Sequence, residues 1–253
     1  MIWVYVEGTK ITSMIRIHIN CDMAESYGNL KSGNDINIMP FVDAVNIACG
    51  FHGGDPLTIF DTITLAHQLN KEIGAHPSYP DLVGFGRRYM EMTSSELYAA
   101  LVYQIGAVKA MAESIGSKLY HVKPHGALYN AAFSNQNVAS VIVDAVKAID
   151  AGLIIYAQEY SLIEKTAQKS GITIMNEGFA DRKYNNDGTL THRQLPGAVI
   201  SSPEEVKEQA FLLIEGKALT ISGKIIKVAV DTICLHGDHP AVVQSLTLIR
   251  NQS

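Results

Sequence analysis

Short apolar runs alternate with longer amphipathic stretches along most of this chain, and that alternation carries the first inference. β-rich runs fall at 15–20, 44–48, 72–75, 119–123, 153–157, 172–175 and 227–235. Between and after them lie segments of helical period at about 56–70, 94–115, 136–149, 159–170, 203–215 and 239–250. In the second of these, Leu97, Leu101, Ile105, Val108 and Met111 recur at three- and four-residue steps, which predicts one buried helix face. Local punctuation agrees. Thr93-Ser-Ser-Glu96 has capping-box spacing, Ser202-Pro203 and Asp55-Pro56 place a capping side chain before a first-turn proline, and Gly116 and Gly171 follow predicted helix ends. Residues 219–227 read as a hairpin turning at Ser222-Gly223. Alternating strand and helix predicts parallel strands joined by right-handed crossovers, as a closed barrel or an open doubly wound sheet. No low-complexity linker divides the chain, so one domain is expected.

Polar residues interrupt the pattern at particular places. Clusters follow nearly every predicted strand: His18-Ile-Asn20-Cys-Asp22-Met-Ala-Glu25, Asn46-Ile-Ala-Cys-Gly-Phe-His52-Gly-Gly-Asp55, Gly74-Ala-His76-Pro-Ser78, His121-Val-Lys123-Pro-His125-Gly126, Asp181-Arg182, and Cys234-Leu-His236-Gly-Asp238-His239. In α/β barrels the loops after the strands build the active site, so six strand ends direct chemistry to one rim. Extended parity puts His18, Asn20 and Asp22 on one strand face, and His121, Lys123 and His125 on another. A strand covered on both sides should be apolar on both faces, so polar alternation marks a site. Lys123, within an apolar run, requires a partner. His52, His125 and His236 each precede a glycine, which lets the backbone approach a ligand. Arg87-Arg88 reads either as surface charge or as a fork for a carboxylate. Glu25 stands between a solvated loop carboxylate and a site residue, while His67 fits an ordinary helical position. The three cysteines read as packing residues.

Composition narrows the options. The 253 residues are 47% hydrophobic with a formal net charge of −5, and no basic tract interleaved with aromatics stands out. Nucleic acid is therefore not an expected partner. No run reaches the ~20 apolar residues of a membrane span. Three cysteines without C-x-x-C spacing fit a reducing compartment, so a cytoplasmic location is expected. There is no P-loop, no G-x-S-x-G elbow and no H-E-x-x-H. The His and Asp supply could hold a divalent metal, although no pair has tight ligand spacing.

Taken together, these motifs resemble the LamB/YcsF family, the A subunits of 5-oxoprolinases. The words that carry the resemblance also include Gly84-Phe-Gly-Arg-Arg88, Tyr103-Gln-Ile-Gly106, His121 to Asn130 and Phe179-Ala-Asp-Arg182, and they span about 15–249. The opening pattern of the family keeps Asn20, Asp22, Glu25 and Gly28 here, but His18 stands for its first Asp and Ala24 for a Gly. The family begins just before this strand, so residues 1–13 are expected to be an extension ahead of one domain at 14–253; the alternative is that Met14 is the natural start. The resemblance implies a single-domain seven-stranded β/α barrel, similar to the sugar and peptidoglycan deacetylase barrels. It further implies ATP-dependent hydrolysis of 5-oxo-L-proline to L-glutamate, together with subunits B and C that bind ATP mainly or jointly.

On that reading Asp22, His52, Lys123, His125 and His236 are the catalytic candidates. Asp22 or His125 serves as general base, His52 and His236 move protons, and Lys123 stabilises negative charge. Asn20, Glu25, Asn46, His76, Arg87, Asp181, Arg182 and Asp238 are the substrate-binding candidates, with Arg87 or Arg182 gripping the carboxylate. Rival readings are a stand-alone metal-dependent deacetylase or amidohydrolase, and a non-catalytic subunit that only binds 5-oxoproline.

Overall fold

The structure, a computed structural model, describes residues 4–6, 9–11 and 17–252. Seven parallel strands close a barrel: β1 (Ile19–Met23), β2 (Ala44–Ala48), β3 (Glu72–His76), β4 (Leu119–Val122), β5 (Ile154–Ala157), β6 (Ile174–Phe179) and β7 (Thr232–Leu235), with β7 pairing both β6 and β1. Around them pack α1 (Pro56–Gln68), α2 (Ser94–Ser114), α3 (Gly126–Ser134), α4 (Gln136–Ile149), α5 (Leu162–Ser170), α6 (Pro203–Ile214) and α7 (Val242–Arg250). Closure is what the short apolar runs achieve: every residue of β1, β2 and β7 is buried, because helices cover one face and the barrel interior the other.

The predicted caps form. Asp55 accepts from the backbone N–H groups of Leu57 and Thr58, both at 3.0 Å, and Thr93 and Glu96 complete a reciprocal capping box. Gly171 ends α5 at φ +76°, the left-handed region that a side chain would resist. At the foot of the barrel Arg250 of α7 donates to the carbonyls of Phe41 (2.7 Å) and Ile17 (2.9 Å) and to Asp43 Oδ2 (2.6 Å). Asp43 Oδ2 in turn accepts from Ile19 N–H at 2.9 Å, so the last helix is tied to the first barrel strand.

Several boundaries differ from the sequence reading. The first strand starts at Ile19 and runs on to Met23; residues 15 and 16 of the expected run lie outside the described residues. The run at 172–175 becomes β6, which continues through Asn176-Glu177-Gly178, polar positions that resemble a loop. The run at 227–235 is two elements: a hairpin of Lys217–Leu219 with Ile225–Lys227, and then β7. The sequence pattern does not announce α3; it starts at Gly126 straight after Pro124-His125, and no side chain caps it. Val4–Val6 and Thr9–Ile11 pair as a short antiparallel hairpin, while the expected domain boundary at Met14 lies outside the described residues. Among the described residues no helix is long and apolar enough to cross a membrane.

Candidate active site

Polar side chains fill the upper barrel in layers, each set by strand parity. The lower layer joins Asn20 of β1, Asn46 of β2, His121 of β4 and Thr232 of β7. Asn20 donates to Thr232 Oγ1 (2.9 Å), Asn46 donates to Asn20 Oδ1 (2.8 Å), and His121 Nε2 meets Asn46 Oδ1 at 2.7 Å. His121 also stacks on Tyr156 at 3.9 Å, and the space for its ring exists because β3 has Gly74 there. A Cβ at Gly74 would lie 2.0 Å from His121 Nε2. His18 reaches Thr232 Oγ1 at 2.9 Å and Glu72 Oε2 at 3.2 Å, below this layer.

The layer above is charged. Lys123 Nζ donates to Asp22 Oδ1 (2.9 Å) and Cys234 Sγ (3.0 Å), and Glu177 Oε1 lies 2.9 Å from the same ammonium. Burial pulls the Lys123 pKa down, but Asp22, Cys234 and Glu177 outweigh it and hold the amine charged, well above its ordinary value. Burial likewise opposes ionisation of Asp22, yet His76 and Lys123 overcome it, keeping the carboxyl well below its usual range. Asn46 Nδ2 also donates to Asp22 Oδ1, at 2.7 Å.

Beside this pair sits a histidine cluster. His76 Nδ1 lies 2.6 Å from the carbonyl of Lys123, and its Nε2 lies 3.3 Å from Asp22 Oδ2. His125 Nε2 lies 2.8 Å from the carbonyl of Phe85, and its Nδ1 is 2.9 Å from His76 Nε2. His52 stacks on His125 with ring centroids 3.7 Å apart, and its Nε2 is 3.3 Å from Glu25 Oε1. Burial and the charge of Asp22 push the Glu25 carboxyl up to about 8. The stack is shaped by Gly86, at φ +64°, where a Cβ would lie 2.7 Å from His125 Cδ2 and 2.9 Å from His52 Cβ. Glu25, His52, His76 and His125 have donor atoms all within 4.8 Å of one another; so have Asp22, Cys234 and His236. Among the described residues, these are the two groups that could hold a metal ion.

Above the charged layer opens a cavity of about 630 Å³, lined by residues that include Asp22, Lys123, His125, Arg182, Arg193 and His236. His236 Nδ1 lies 2.7 Å from Asp181 Oδ2, which also accepts the His236 backbone N–H at 3.0 Å. Burial raises the Asp181 pKa, but the charge and hydrogen bonds of His236 prevail and hold it below its usual range. A carboxylate can only accept, so His236 Nδ1 carries hydrogen, and in the neutral ring Nε2 keeps a lone pair. Arg87 and Arg193 both donate to Asp238, at 2.8 and 3.0 Å, spanning the mouth from two loops.

The structure therefore gathers the residues expected from the sequence, in different positions relative to the cavity. Asp22, His76, Lys123, His125, Arg87, Arg182 and His236 line it. Asn20 and Asn46 lie beneath, bonded to one another and to Asp22 or Lys123. Glu25 and His52 stand behind His125, and Asp181 and Asp238 orient His236 and the two arginines. Sequence reasoning missed Glu177, which lies just past the predicted strand at 172–175, and Cys234, taken as packing. It also missed Arg193, whose one signal was its place after His192. His67 lies in the last turn of α1, away from the site.

Comparison with known proteins supports the family and the fold. A protein of Pyrococcus furiosus, described as the A subunit of 5-oxoprolinase, is 43% identical over 239 residues, covering 94% of each chain. Its counterpart in Bacillus thuringiensis is 46% identical over 234 residues, covering 91% of this chain and 92% of its own. The crystal structure of the lactam utilization protein from Thermus thermophilus superposes with a TM-score of 0.88 at 40% identity, covering 94% of this chain and 97% of that one. The LamB/YcsF family profile matches residues 17–253, and the chain belongs to that family.

Proposed function

We propose that this chain is the A subunit of a cytoplasmic, ATP-dependent 5-oxoprolinase. In this reading it opens the lactam ring of 5-oxo-L-proline to L-glutamate, with partner subunits B and C supplying ATP-driven activation. One observation carries the reading: a buried, charged lysine and a carboxylate-oriented histidine face the same cavity at the C-terminal rim of the barrel. The names of the relatives supply the substrate, and the absence of a P-loop suits a division of labour in which phosphoryl transfer begins elsewhere. The barrel domain is taken to begin near residue 14, with residues 1–13 as an extension.

A lactam is a resonance-stabilised amide, so phosphorylation of its carbonyl oxygen makes the ring carbon attackable by water. His236, aligned by Asp181, takes the proton of that water at Nε2 and returns it to the ring nitrogen as the C–N bond breaks, leaving γ-glutamyl phosphate, whose acyl phosphate a second water hydrolyses to L-glutamate and inorganic phosphate. This base role falls to His236 because Asp22 Oδ1 already accepts from Asn46 and Lys123, and the nitrogens of His125 face His76 Nε2 and the carbonyl of Phe85. Lys123 stabilises the negative charge that develops on oxygen or phosphate. Arg87, Arg182 and Arg193 receive the substrate carboxylate and phosphate at the cavity wall.

The test is reconstitution with subunits B and C, following glutamate release with and without ATP. Turnover should require all three chains and ATP. H236N should lower kcat by roughly 10²–10⁴-fold, the usual worth of a positioned acid–base group. Turnover by the chain alone without ATP would refute the reading in favour of a stand-alone amidohydrolase, and full activity of both H236N and K123A would reduce the chain to a ligand-binding role.

A further inference from the structure

The histidine cluster poses a bonding problem that the proposed ring opening does not use. His76 Nδ1 faces the carbonyl oxygen of Lys123 and His125 Nε2 faces that of Phe85. Carbonyl oxygens only accept, so each of these nitrogens carries the ring hydrogen. In the neutral rings the other nitrogens, His76 Nε2 and His125 Nδ1, hold lone pairs, and they point at one another across 2.9 Å. Around them stand more acceptors. Asp22 Oδ2 is 3.3 Å from His76 Nε2, and Glu25 Oε1 is 3.8 Å from His125 Nδ1. Glu25 Oε1 also lies 3.3 Å from His52 Nε2, and both nitrogens of buried His52 lack a hydrogen-bond partner among the described residues.

Lone pairs converging on one buried point require a cation between them. A proton satisfies a single pair: placed on His76 Nε2 it can serve His125 or Asp22, and placed on Glu25 it can serve His52 or His125, but neither satisfies the remaining donors. A metal ion satisfies several donors at once. Zinc–nitrogen bonds of about 2.0–2.1 Å in a tetrahedron set donors about 3.3 Å apart. The separations of 2.9, 3.3 and 3.8 Å found here fall on either side of that edge, and the four donor atoms all lie within 4.8 Å of one another. The backbone carbonyls that fix the two ring hydrogens are also the outer partners that metal-bound histidines use.

We propose that Glu25, His52, His76 and His125 form a binding site for one divalent transition-metal ion of the zinc class, with Asp22 beside it. Imidazole-rich donors favour zinc, cobalt, nickel or copper over magnesium or calcium. The ion would be held by β3, the loops after β1 and β2, and the segment entering α3. It would stand next to Asp22 and Lys123, at the floor of the cavity.

The experiment uses the full chain, stripped with a chelator, then titrated with Zn²⁺ or Co²⁺ and desalted before metal analysis by mass spectrometry. About one ion per chain should remain, Co²⁺ should give the visible d–d absorption of a low-coordinate nitrogen–oxygen site, and Zn²⁺ should raise the melting temperature. H76A and H125A should weaken binding by more than about 100-fold, and E25Q by about 10- to 100-fold. H125N, closer to histidine in size, repeats the test with less disturbance of packing, and circular dichroism checks each variant. The proposal is overturned if the wild-type chain retains no ion and its melting temperature ignores Zn²⁺. It is equally overturned if a bound ion persists unchanged in folded H76A and H125N, since the ion would then sit elsewhere.

Discussion

Replacing Lys123 by methionine isolates the energetics of the charged layer. Methionine keeps most of the stem volume and removes the ammonium, leaving Asp22 and Glu177 buried without their shared counter-charge. The Lys123 side chain is 3% exposed, against 5% for Asp22 and 0% for Glu177, so water cannot replace it. Breaking a buried ion pair by removing one partner costs about 3–5 kcal/mol. At about 2.1 cal/mol/K per residue, the 253 residues give an unfolding entropy near 530 cal/mol/K, so the loss corresponds to about 6–9 °C in melting temperature. Scanning calorimetry of chelator-treated protein at neutral pH measures it. The sign with pH is part of the prediction. Without the ammonium the buried carboxyls resist ionisation, so the variant's deficit should shrink as acid protonates them. A variant within about 2 °C of wild type at neutral pH, or a deficit that grows on acidification, would show that the ammonium is not what makes this layer tolerable.

Three further outcomes follow from the same geometry. G86A should destabilise the chain by about 1–3 kcal/mol and lower turnover of the reconstituted enzyme, because the new methyl enters the His52–His125 stack; unchanged kinetics in a folded variant would refute the close approach. Asp181 has its folded pKa held below the unfolded value of about 3.9, so its contribution is complete well above that pH and is lost as pH falls through it. D181N should therefore melt lower than wild type near neutrality, and the gap should close on acid titration followed by circular dichroism. R250M should cost about 2–4 kcal/mol in urea unfolding through loss of charge-assisted bonds to Asp43 and two carbonyls, leaving the KM of the reconstituted enzyme unchanged.

Much of this was legible in the sequence, for identifiable reasons. Helix covering and barrel closure force strands such as Ala44–Ala48 to be apolar runs, so that strand appears with its observed bounds. Caps at Asp55 and Thr93 work through adjacent residues and need no tertiary knowledge. What escaped depends on distant partners. Glu177 breaks an apolar strand because its counter-charge, Lys123, arrives from the end of β4, two strands round the barrel. α3 has a glycine start and no capping side chain, so nothing local announces it. Candidate site residues could be grouped at one rim from their strand-end positions, but parity could not say that Asn20 and Asn46 stand beneath the charged layer. That depends on register across the sheet, as when Asn46 faces Asp22.

The seam between β7 and β1 has a consequence for how the protein comes into being. Ile233 pairs with Ile19 and Cys234 with Asn20, partners more than 200 positions apart along the chain. During synthesis, β1 must wait with one edge unsatisfied until residue 235 has left the ribosome. Lys123 waits equally for Cys234, and Asp181 for His236. Such late, non-local closure predicts slow folding, and nascent chains that stop short of β7 should be targets for chaperones or proteases. The chemistry assembles only when the ring is sealed, so unfinished chains should be inert as well as unstable.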